Sequence, residues 1–161
     1  MGKENPNENI VMRALDVAPR TKPSNYPEPF FSRMSQREKR QLGDVFGINN
    51  FGVNLTRLSP GGESALLHRH SKQDEFIYIL DGTPTLVTET DEVAMRPGDC
   101  AGFPAQGAAH QLVNRTETDV LYLEVGDRVA GDEGSYPKDD LKAMLGPDGQ
   151  WQFTHKDGSP Y

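Results

Sequence analysis

Four side chains in the middle of this chain have the types and spacing to hold a metal ion: His68, His70, Glu75 and His110. The sequence contains four histidines, and three of them fall between Gly62 and Asn114. Neutral imidazole is the commonest metal-binding side chain, so that concentration carries information. His68 and His70 are two residues apart and project from one face if the segment is a strand. Glu75 opens the apolar run Phe76 to Leu80 and reaches the same face if that run is a neighbouring strand. His110 arrives from a third segment. Three imidazoles and one carboxylate suit a divalent transition metal: Fe, Mn, Ni, Zn, Co or Cu. A calcium or magnesium site would be built from oxygens alone. A lone His-x-His is more often an exposed polar strand face; the third histidine and the glutamate favour the metal.

Glycines and a proline bracket these residues at fixed intervals. Gly62, five residues, His68-x-His70, four residues, Glu75, six residues and Gly82 form one pattern. Gly98, Pro104, Gly107, His110 and Asn114 form a second. Together they resemble the two motifs of the cupin superfamily, with one departure: Gln106 is an extra residue between Pro104 and Gly107. The fifteen-residue spacer, Thr83 to Pro97, resembles that of small single-domain bacterial cupins, which are often described as sugar-phosphate-isomerase-like. The resemblance implies an all-β jelly roll, metal ligation by His68, His70, Glu75 and His110, and a small-molecule ligand.

The elements that must position these groups can be read from alternation and turn residues. Phe51 to Leu58 alternates as a strand and stops at Ser59-Pro-Gly-Gly62. Ser64 to His70 and Glu75 to Leu80 follow, the latter ending in an Asp81-Gly82 turn. Further strands are expected at Thr85–Thr90, Glu92–Met95, Cys100–Phe103, His110–Asn114 and Val120–Val125, with Arg96-Pro-Gly-Asp99 a turn. Many short strands with regular punctuation indicate a β-sandwich or barrel. Before them, residues 1–50 read as an extended, proline-containing arm. Ile10 to Val17 is expected as an edge strand, and Ser35 to Gly43 as a short helix capped by Ser35. After them, residues 129–161 read as a C-terminal tail with a short helix over Asp139 to Leu145 and a final strand at Trp151. One domain, 1–161, with a core over 51–128, accounts for the length.

Strand parity turns Leu66, Ile77, Ile79, Leu112 and Asn114 to the same side as the four ligands, giving a mostly apolar cup. No Lys or Arg takes that phase in the motif strands, so no phosphate clamp is evident. Trp151 and Phe153 are expected to cover the sandwich or a dimer seam, and His155 is not expected to bind metal. The net charge of -7 argues against nucleic acid and against anionic membranes. No run approaches the ~20 apolar residues of a membrane span, and the N-terminus lacks a signal-peptide core. The single cysteine, Cys100, suits a cytoplasmic protein without internal disulfides. Apolar residues in the arm and tail point to a homodimer in which one of them crosses to the partner.

Two functional classes remain open from these residues. One is a metal-dependent enzyme on a small molecule, an isomerase or a dioxygenase, in which Glu75 is the candidate catalytic group. The other is a non-catalytic small-molecule-binding or metal-binding module.

Overall fold

The apolar-polar alternation of the central segments becomes antiparallel strands packed face to face. The structure, a computed structural model, describes residues 10–161. Its strands are β1 (Arg37–Gln41), β2 (Phe51–Leu58), β3 (Arg69–His70), β4 (Glu75–Asp81), β5 (Thr85–Thr88) and β6 (Glu92–Ala94). They continue with β7 (Cys100–Phe103), β8 (His110–Val113), β9 (Val120–Asp127), β10 (Glu133–Ser135), β11 (Lys142–Leu145) and β12 (Trp151–Thr154). One wall is a five-stranded sheet in the order β1-β2-β9-β4-β7. The facing wall is made of two smaller sheets, β12-β11-β10-β3 and β6-β5-β8. This is the expected all-β jelly roll.

The segment from Gly62 to His70 joins the two smaller sheets. It runs antiparallel to β8 through bridges at Glu63↔Val113 and His68↔His110. Five residue steps on one side oppose three on the other, so two extra residues bulge out. The regular strand expected from Ser64 is therefore reduced to Arg69–His70. The bulge still buries Leu66 and Leu67, which enter two different apolar clusters.

Three other expectations are corrected. Ser35 to Gly43 is not a helix: Arg37 to Gln41 pairs with Leu58 to Asn54 along β2. The ladder wins because successive charges on its two faces find partners, one on β2 and one across it on β9. Glu38 meets Arg57 at 2.8 Å and Lys39 meets Glu124, whereas a solvated helical face would leave them unpaired. Asp139 to Leu145 is not a helix either, since Lys142–Leu145 forms β11 and pairs with β10 and β12. Ile10 to Val17 contains a single 3-10 turn at Ala14–Asp16 in place of an edge strand. Residues 1–9 of the arm lie outside the described residues.

Burial follows from this layering. Leu58, Ile77, Ile79, Met95, Phe103, Leu112, Val120 and Tyr122 form the main core between the walls. A second cluster joins Phe30, Met34 and Leu66 to Tyr136, Leu141 and Ala143. The segment after Asp127 thus supplies half of that cluster, with Trp151 and Phe153 packed against it. The arm from Val17 onward and the tail both pack on their own subunit.

Candidate metal centre

Each of the four residues is aimed by a different local device. Glu75 starts β4 directly opposite Gly126 of β9. His110 starts β8, its ring stacked on Phe103 with centroids 3.5 Å apart and 3° between planes. His70 ends β3, and His68 sits on the bridge that precedes it. Their Nε2 atoms converge on one carboxylate oxygen, Glu75 Oε2: His110 at 2.8 Å, His68 at 3.4 Å and His70 at 3.5 Å. The ligand atoms of His68, His70 and Glu75 all lie within 4.8 Å of one another.

The far nitrogens are held as firmly. His68 Nδ1 donates to the Leu66 carbonyl at 2.8 Å and His110 Nδ1 to the Ala108 carbonyl at 3.3 Å. His70 Nδ1 donates to Asp132 Oδ2 at 2.5 Å. A carbonyl oxygen only accepts, so the proton of His68 and of His110 is fixed on Nδ1. Nε2 is thereby turned to the centre, where its lone pair would meet an ion once the Nε2 proton shared with Glu75 is given up, the usual way in which outer partners orient metal-binding imidazoles.

The separations fit a shared ion. Ligands ~2.0–2.2 Å from one centre sit about 3.0 Å apart in an octahedron and about 3.4 Å apart in a tetrahedron. The three N–O separations, 2.8, 3.4 and 3.5 Å, span that range. The electrostatics agree. Burial raises the pKa of Glu75, but hydrogen bonds from His110, His68 and His70 outweigh it and hold the carboxyl well below the ordinary range. Burial disfavours the His70 cation, yet Glu75 and then Asp132 overcome it and push its pKa up to about 9. This is a cluster of groups waiting for positive charge.

Asp132 escaped the sequence reading. It is 0% exposed, and its carboxylate also accepts Ser71 Oγ at 3.2 Å and the backbone N–H groups of Lys72 at 2.7 Å and Gln73 at 3.3 Å. An aspartate in Gly131-Asp-Glu-Gly134 reads as an ordinary turn residue. Only the pairing of β10 with β3 brings it under His70.

The four residues open onto a cavity of about 310 Å³ between the walls. Leu112 and Ile77 line it as parity requires. Leu66 and Ile79 are packed into clusters, and Asn114 ties the chain together by donating to the Leu58 and Thr118 carbonyls at 2.9 and 2.8 Å. Trp151 and Phe153 line the cavity with Tyr26 and Tyr136, so they are not merely a cover. Arg20, Arg37 and Lys39 also line it, which supplies the cations that the motif strands lack. Burial and the nearby Arg37 lower the pKa of Arg20, a sign of like charges crowded together. His155 stands apart, bonded to Asp140 at 2.8 Å.

Gln106, the extra residue, takes a left-handed conformation with φ 62°. Its N–H donates to the His70 carbonyl at 2.8 Å, so the longer loop is stitched to the histidine strand and His110 keeps its place.

Comparison with known proteins gives a consistent picture. A family model described as a cupin domain matches residues 54–126. No curated protein matches the chain. The structure is similar to a sugar phosphate isomerase of the cupin superfamily from Silicibacter pomeroyi, at 39% identity and TM-score 0.88, covering 94% of this chain and 96% of that one. It is also similar to a candidate sugar phosphate isomerase from Acidithiobacillus ferrooxidans, at 31% identity and TM-score 0.70, covering 78% and 80%. A polyketide cyclase from Streptomyces resistomycificus shares the fold at 22% identity and TM-score 0.60, covering 73% and 78%.

Proposed function

The chain belongs to the cupin superfamily, and from that premise we propose that it is a metal-dependent isomerase acting on a sugar phosphate or a closely similar anionic polyhydroxy compound. The observation that carries the reading is the convergence of three Nε2 atoms on Glu75 Oε2 at one end of a cavity that also holds Arg20, Arg37 and Lys39. His68, His70, His110 and Glu75 would hold one divalent transition ion. Such an ion, when bound, polarises a carbonyl or hydroxyl oxygen as a Lewis acid. The remaining work falls to the chain itself. The guanidinium of Arg20, which donates to Asn25 at 3.1 Å, offers further N–H groups to an anion. Tyr26, Tyr136, Phe153 and Trp151 give aromatic surface for the carbon face of a sugar.

The test begins with metal analysis of protein purified without chelator, followed by isomerisation assays with five- and six-carbon sugar phosphates. About one ion per chain and interconversion of aldose and ketose phosphates are expected. Arg20→Gln should weaken binding of phosphorylated sugars more than of unphosphorylated ones. Tight binding of a sugar phosphate without turnover would replace this reading with a non-catalytic binding module. Oxygen uptake in place of isomerisation would replace it with an oxygenase.

A further inference from the structure

The inner face of the five-stranded sheet carries a second carboxylate. Glu124 of β9 lies opposite Ile77 of β4, while Glu75 lies opposite Gly126. Opposed residues of an antiparallel pair share a face, and period two puts Ile77 on the face of Glu75. Glu75 and Glu124 are therefore diagonal neighbours, with about 7–8 Å between their backbone positions. Gly126 places no side chain between them. The Glu75 side chain extends over Gly126, its Cγ 3.6 Å and its Oε1 4.0 Å from where a Cβ there would sit, so both carboxylates occupy one stretch of the inner face.

Glu124 is held for use. Its Oε1 pairs with Lys39 Nζ, which reaches across from β1, and accepts Asn54 Nδ2 at 3.2 Å. Its Oε2 faces the Tyr122 hydroxyl at 3.4 Å. Asp132, by contrast, is fully enclosed with its oxygens committed, while the Glu124 side chain keeps 21% exposure and lines the cavity. Asp127, on the other face of β9, accepts the Asp74 amide. Burial raises the pKa of the phenols of Tyr26, Tyr122 and Tyr136, so they keep their protons at neutral pH and are poor bases. The three site imidazoles are committed to the centre. Glu75 is itself held by the three imidazoles and Lys39 is paired with Glu124, so Glu124 is the inner-face carboxylate that lines the cavity beside a molecule bound against Glu75.

We propose that Glu124 is the catalytic acid-base residue of this site and that Lys39 positions it; the inference rests on the isomerase reading. In an aldose phosphate, the Glu124 carboxylate removes the proton from C2. The C2–H electron pair becomes the C1–C2 π bond, and the C1 carbonyl pair moves onto its oxygen. The proton held on Glu124 is then delivered to C1, the C2 hydroxyl proton passes to the C1 oxygen, and a ketose results with no atom or electron gained.

The experiment uses the full-length, metal-loaded protein in D2O with D-ribose 5-phosphate, D-glucose 6-phosphate and D-mannose 6-phosphate, following deuterium incorporation at carbon by NMR. Wild type is expected to exchange at least one of them. Glu124→Gln should lose about 10²-fold or more while retaining its metal. Glu124→Asp keeps the charge for Lys39 but withdraws the carboxylate by one methylene, and should lose about tenfold or more. Lys39→Met should slow exchange and Lys39→Arg should restore it, a rescue that lost packing alone would not give. Wild-type rates in metal-loaded Glu124→Gln or Glu124→Asp would overturn this inference and leave the isomerase reading standing. Isomerisation by wild type without deuterium incorporation would overturn this inference alone, and neither isomerisation nor exchange with any of the three sugars would overturn both.

Discussion

Asp132 and His70 show how far a single pair can set the behaviour of a site. Asp132→Asn would replace a carboxylate that accepts four hydrogen bonds with an amide that can accept through only one atom. Loss of such an outer partner is expected to weaken metal affinity by about 10–100-fold. Trp151 is the only tryptophan in the chain, with its ring 5.9 Å from that of His70, so its fluorescence should report the titration. Unchanged affinity in Asp132→Asn would remove Asp132 from the account. The raised pKa of His70 has a second consequence. Its protonated form stabilises the metal-free fold. That contribution is complete below the unfolded value of ~6.5 and is lost as pH rises through about 9. Glu75 has the opposite sign: depressed in the fold, it contributes above ~4.5 and is lost as pH falls through its lower folded value. Chelator-treated protein should therefore melt at lower temperature at pH 9 than at pH 6.5. Metal must displace the His70 proton, so affinity should rise up to tenfold per pH unit until about pH 9. The competition begins well above the ~6.5 of free imidazole. A melting temperature and an affinity that are flat over this range would contradict the pairing.

At the scale of elements, turns and loops hold the ligand strands in register. Gly82 closes β4 with φ 79°, and a Cβ there would lie 2.6 Å from the Asp119 carbonyl oxygen and 2.9 Å from Val120 Cα. Both obstacles are backbone, and the left-handed conformation adds its own penalty of about 1 kcal/mol. Gly82→Ala should destabilise by more than about 2 kcal/mol, read as a lower urea midpoint at unchanged slope. Wild-type stability would mean that the turn gives way more easily than its contacts imply. The strand β1 makes the same point about neighbours. Its residues Arg37, Lys39 and Gln41 face the cavity by period two, and only β2 alongside makes that parity apply.

At the scale of the whole molecule, the outer face of the five-stranded sheet stands out. Phe76, Tyr78 and Leu80 alternate outward along β4, exposed at 43%, 39% and 41%. Val125 and Leu123 lie opposite the first two on β9, and Val53 continues the first row on β2. Isolated apolar residues are normal on a surface, but a continuous patch across three strands calls for a cover. A second copy, presenting the same face about a twofold axis, is the expected cover. It differs from the expectation that the arm or the tail crosses to a partner: the tail packs within its own subunit, and residues 1–9 of the arm lie outside the described residues. Light scattering at micromolar concentration should give twice the chain's 17.9 kDa, and the double variant Tyr78→Lys, Leu80→Lys should fall to the single-chain mass. A wild-type mass of one chain would reject the dimer.

Local rules were sufficient for the motif strands other than Ser64–His70, which a bulge shortens to Arg69–His70, for the turns at Gly82 and Gly98 and for singling out His68, His70, Glu75 and His110 as candidates. In each case the information lies within a few residues: period-two alternation, a left-handed glycine, and donor atoms spaced to share one face. Cys100–Phe103, His110–Val113 and Val120–Asp127 fold where alternation placed them. The misread segments are those whose conformation depends on a distant partner. Arg37 to Gln41 has the charge pattern of a short helix and becomes a strand because β2 offers a ladder. Lys142 to Leu145 does the same against β10 and β12. Asp132, 62 residues from the histidine it orients, and Lys39, paired with Glu124 across an intervening strand, carry no local signal at all. Side-chain chemistry can be read along a chain, but which groups share a low-dielectric cavity is decided by strand order, and strand order is a property of the assembled sheets.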